Sequence, residues 1–100
     1  MKFSNKVDIT RLKRPARQAL YMADIIFTRH EETMTLLHTF DGKHEEGSAH
    51  FKHRAFDVDL PKANRDYIFL ELTHELGKQY EVINKEDHLH IEHLKDYKEI

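Results

Sequence analysis

The chain contains no cysteine. That removes disulfides, thiolate zinc sites, iron–sulfur clusters and cysteine nucleophiles, so any metal must be held through nitrogen and oxygen. Glycine and proline are scarce, three and two residues of 100, and neither a collagen-like composition nor a low-complexity linker fits. No run approaches the ~18 apolar residues of a membrane span, and no internal repeat is visible. The polar start "MKFSNKVDIT" lacks the apolar centre of a signal peptide. The expectation is a cytoplasmic product with no membrane partner, reaching a target outside the cell only if a separate factor releases it. A net charge of −2 is too balanced to make nucleic acid the main partner. The basic residues Lys2, Lys6, Arg11, Lys13, Arg14 and Arg17 read first as a solvated face.

What is present suits one small folded domain covering residues 1–100. The composition is 39% hydrophobic and 34% charged, with six Phe and four Tyr, enough for a single core beneath a large surface. Nine histidines stand out. Histidine is the commonest metal ligand and titrates near neutrality. Five of the nine fall in two short clusters, His50/His53 and His88/His90/His93.

Pro15 fits the first turn of a helix. From there Ala16, Leu20, Ala23, Phe27 and His30 share one stripe, with Ala19 and Ile26 on its shoulder, which predicts a helix over 14–30. "MTLLHTF" (34–40), followed by Asp41-Gly42, reads as a strand and turn. "RAFDVDL" (54–60) alternates by twos, with Phe56, Val58 and Leu60 on one side and Ala55, Asp57 and Asp59 on the other. "KANRDYIFLELTHELG" (62–77) carries Ile68, Leu72 and Leu76 on one helical face and ends at Gly77. "QYEVIN" (79–84) and "HLHIEH" (88–93) read as a hairpin turning over Lys85–Asp87. The order α-β-β-α-β-β predicts an α+β fold, a small antiparallel sheet with helices packed on one side.

If both alternating strands turn their apolar faces to one core, Asp57 and His90 point together to the opposite face. His50 lies in the loop entering the Asp57 strand, at the edge of that face. Two histidines and a carboxylate suit Zn²⁺ with a position left open for water. Asp87 and Glu86, just before the His90 strand, are carboxylates placed to take a proton. The competing reading is scattered polar residues on a solvated face.

"SAHFKHRAFDVD" resembles the S-x-H-x-x-G-x-A-x-D signature of the zinc D-alanyl-D-alanine peptidase superfamily, which shares its fold with the hedgehog signalling domain. "EDHLHIEH" resembles that superfamily's second motif, an acidic residue three before the last zinc histidine. The likeness covers roughly residues 34 to 93 and is nearest to short phage-encoded endolysins that cut cell-wall peptides. It implies that His50, Asp57 and His90 hold zinc. It further implies that Asp87 is the general base that activates water and later protonates the leaving amine, with Glu86 the alternative. Ser48 and His44 would orient the loop or the substrate.

Two departures matter. His53 stands where the pattern has glycine, which allows a special backbone angle or a close approach. A histidine there would strain the loop, crowd the cleft or ligate the metal itself, although His50 keeps the expected spacing to Asp57. The stretch "LLHTFDGKHEEG" offers Lys43 and His44 but no arginine to hold a terminal carboxylate. That points toward an endopeptidase cutting an internal bond, such as L-Ala–D-Glu, over a D-Ala-D-Ala carboxypeptidase. The expectation is a zinc-dependent hydrolase of peptidoglycan stem peptides. The alternative is a non-catalytic zinc-binding phage structural or interaction domain of the same fold.

Overall fold

The computed structural model describes residues 1–4, 7–39 and 53–94. Pro15 opens helix α1 (Arg14–Arg29), whose missing proline N–H costs nothing in a first turn. The helix ends without glycine. The N–H of Glu31 reaches the carbonyl of Thr28 at 3.0 Å and the N–H of Glu32 reaches that of Phe27 at 2.9 Å, the Schellman pattern, with Glu31 left-handed at φ 58. Helix α2 (Arg65–Leu76) stops at Gly77, whose φ of 78 is one that a side chain would resist. Both helices lie inside the ranges that periodicity marks.

Strands β1 (Lys2–Phe3), β2 (Thr35–His38), β3 (Ala55–Asp59), β4 (Tyr80–Asn84) and β5 (His88–His93) form one sheet in the order β1-β2-β3-β5-β4. The sheet is mixed, which corrects the antiparallel expectation. Two residues give no periodic signal, so β1 was invisible to the pattern. It pairs parallel to β2 because α1 carries the chain back across before β2 begins, and parallel neighbours need such a crossover. The other pairings are antiparallel.

One face of the sheet builds the core. Leu36, Phe56, Val58, Leu89 and Ile91 pack with Ala16, Leu20, Ile26 and Phe27 of α1 and with Ile68 and Leu72 of α2. Fully burying a side chain of this size stabilises by about 1.5–3 kcal/mol, so this cluster sets the register of β3 against β5. A slip of one residue would turn Phe56 and Val58 to the polar side. That register is what positions the site.

Candidate functional site

Because Phe56 and Val58 face the core, Asp57 between them faces away, and the same holds for His90 between Leu89 and Ile91. Asp57 and His90 are direct cross-strand partners. Both are buried, at 5% and 7% exposure, and His90 Nδ1 lies 2.9 Å from Asp57 Oδ1. The ring's other nitrogen, Nε2, lies 2.8 Å from Glu92 Oε1. A carboxylate at each ring nitrogen favours the doubly protonated imidazolium, which can donate to both. Burial pushes the His90 pKa down, but the hydrogen bonds and charges of Asp57 and Glu92 outweigh it and the net shift is upward.

Asp87 sits on the turn between β4 and β5, with its side chain 85% exposed. His88 Nδ1–H donates to Asp87 Oδ1 at 2.6 Å, while His88 Nε2 stands 3.7 Å from Asp57 Oδ1. The chain Asp87–His88–Asp57–His90–Glu92 therefore alternates carboxylate and imidazole along one face. The hydrogen bond from His88 is the main cause holding the Asp87 carboxyl below its ordinary pKa. Asp87 stays ionised at neutral pH and is a correspondingly weaker proton acceptor.

The turn itself is anchored from α2. Arg65 donates through Nε to Asn84 Oδ1 at 3.0 Å and through Nη2 to the Lys85 carbonyl at 2.6 Å. On β2, His38 lies opposite Asp57 across an irregular register. Beyond His88 the face continues to its partner Asp59, which helps line a cavity of about 270 Å³ with Lys2, Glu31, Glu32, Thr35 and Lys62.

Of the residues expected at the site, Asp57 and His90 are brought together and Asp87 stands at the edge of the same array. His50, Ser48 and His44 lie outside the described residues. Among the described residues there is no group of three or more His, Asp or Glu arranged to hold a metal. The two donors present nevertheless fit zinc in kind. One imidazole nitrogen and one carboxylate oxygen lie side by side, and Glu92 takes the far ring nitrogen, as a carboxylate commonly does behind a ligating histidine. His93 faces the core against Tyr80, with ring centroids 5.2 Å apart, and His30 pairs with Glu71 at 3.1 Å. Neither belongs to the array.

Glu92 and Arg65 are the residues that sequence reasoning left without a role. Alternation puts Glu92 on the right face, a usable signal. Arg65 acts 20 residues away through a helix-to-turn contact, for which no local pattern exists. No helix among the described residues is long and apolar enough to cross a membrane. Comparison of the chain with protein-family models, curated proteins and solved structures finds no match.

Proposed function

We propose that the chain is a zinc-dependent peptidase of the hedgehog/DD-peptidase fold that hydrolyses a bond in peptidoglycan stem peptides. The observation that carries this reading is the buried Asp57–His90 pair at 2.9 Å, with Glu92 behind His90. It joins the two sequence motifs on one face, 33 residues apart in the chain. Asp57 and His90, with His50, are the residues that would hold the ion. When bound, zinc supplies Lewis acidity, polarising a carbonyl and easing the ionisation of water.

The chain's own residues supply the rest. Glu92 fixes the His90 ring so that Nδ1 is the nitrogen offered. Asp87, ionised at neutral pH, accepts a proton from the attacking water and returns it to the amine nitrogen as the C–N bond breaks. His88 aims Asp87 through its Nδ1 hydrogen bond. Ser48 and His44 would contact the peptide.

A second reading draws on the lowered pKa of Asp87 and its bond to His88: a zinc-holding structural or interaction domain of the same fold without catalysis. Mass spectrometry of purified peptidoglycan after incubation with the zinc-loaded protein separates the two. Cleavage that the Asp87→Ala protein lacks establishes the peptidase and names the bond. Walls of several peptidoglycan types left intact by a protein that binds zinc establish the second reading.

A further inference from the structure

Charge is unevenly distributed over the molecule. Three segments, residues 9–23, 53–56 and 77–80, contain Arg11, Lys13, Arg14, Arg17, Arg54 and Lys78 and not one Asp or Glu, although the whole chain is net −2. They are far apart in sequence but meet at one end of the fold. The Lys13 N–H donates to the His53 carbonyl at 2.9 Å, which joins the start of α1 to the start of β3. Arg54 is held at the end of β5, its carbonyl taking the His93 N–H at 2.9 Å and its Nη1 donating to the His93 carbonyl at 2.6 Å. The Tyr80 hydroxyl donates to the Pro15 carbonyl at 2.9 Å and brings the 77–80 turn to the same place.

Lys13, Arg14, Arg17 and Lys78 are exposed there. Arg11 lies by Asp8 and is set aside. No carboxylate is paired with Lys13, Arg14, Arg17, Arg54 or Lys78 among the described residues. Asp57 and His90 lie farther along, toward the middle of β3 and β5.

We propose that this end binds a linear phosphodiester polyanion of the bacterial wall, holding the protein at its substrate. The assignment to the wall rests on the peptidase reading. The chemistry is contact with the phosphate backbone through several ammonium and guanidinium groups. Tyr80 has its hydroxyl committed to Pro15 and its ring against His93, and Tyr21, half exposed on α1, makes comparison with a base-bearing strand part of the test.

The test is co-sedimentation of the full chain with walls rich in poly(glycerol phosphate), before and after chemical removal of that polymer. The wild type is compared with a Lys13→Glu/Arg14→Glu/Lys78→Glu variant. None of the three side chains is buried, and a glutamate in the first turn of α1 favours the helix, so the variant folds; its thermal melt verifies this. Four phosphate contacts predict about a 50-fold loss of affinity between 50 and 200 mM salt.

The expected result is binding that is lost on stripped walls and weakened at least about tenfold in the variant, with a flatter salt dependence. Equal binding to stripped walls, or an unchanged variant, overturns the proposal. Tighter binding to a single-stranded oligonucleotide than to poly(glycerol phosphate), at equal phosphate concentration, overturns it in favour of nucleic acid. Cleavage of a soluble stem peptide is assayed in parallel. Its absence alongside polymer-dependent binding counts against the peptidase alone, and its presence in both proteins without such binding counts against this surface alone.

Discussion

His53 stands in the left-handed region at φ 59, at the position where the resembled signature has glycine. The backbone around it cannot relax. Its own carbonyl takes the Lys13 N–H at 2.9 Å, and the next residue is tied to His93 through both its carbonyl and its guanidinium. A residue bearing Cβ in this conformation costs about 1–2 kcal/mol, and histidine is among the better tolerated there.

The informative comparison is His53→Gly against His53→Ala. Both remove the imidazole, and only glycine removes Cβ. Glycine's greater freedom in the unfolded chain returns roughly 0.5–1 kcal/mol of that gain. The glycine protein should therefore be more stable than the alanine protein by about 0.5–1 kcal/mol. For a chain of this length that is a separation in melting temperature of about 2–8 °C. Urea unfolding of both proteins, in chelator and with equal m-values, measures it directly. An alanine protein as stable as the glycine protein would refute the claim that backbone conformation makes this position a glycine site.

Glu31 offers a parallel case at the end of α1. With φ 58 in a Schellman motif, Glu31→Gly should raise stability by about 0.5–1 kcal/mol in a thermal melt. Tyr80 has its pKa raised by burial, so the folded state keeps the phenolic proton where the unfolded chain has begun to lose it. The sign is therefore fixed: the contribution of Tyr80 is complete below pH ~10 and is lost as pH rises through the folded value. The Tyr80→Phe protein should be about 1 kcal/mol less stable near neutrality, and the gap should close in denaturant melts above that pH. Glu92→Gln, which leaves both proposed donors in place, should weaken zinc binding about 10–100-fold in a chelator competition. Unchanged affinity would remove Glu92 from the site.

The parts legible in the sequence were those carried by repetition. Alternation in "RAFDVDL" and "HLHIEH" was enough to put Asp57 and His90 on a common face, because each lies between two core residues. The stripe from Ala16 to Phe27 marked α1 for the same reason. What escaped had no repeating signal. The pairing of β1 with β2 rests on Lys2 and Phe3 alone. The hold of Arg65 on the β4–β5 turn, and the meeting of three cationic segments at one end, depend on tertiary placement. The double engagement of the His90 ring needed distances, since a face assignment does not say which nitrogen meets which carboxylate.

The strand order also divides the array by how readily its backbone opens. Asp57 lies on β3, hydrogen-bonded on both sides by β2 and β5, and Asp87 lies on a hairpin tip. Amide hydrogens of β3 can exchange with solvent only through opening of the whole sheet, whereas those of residues 85–87 need only the tip to lift away from Arg65. An isotope-labelling time course would thus split neighbours on one face into the slowest and among the fastest classes of the molecule. Asp57 and His90 form a rigid seat, and Asp87, linked to it through His88, rides on a segment able to shift without disturbing it.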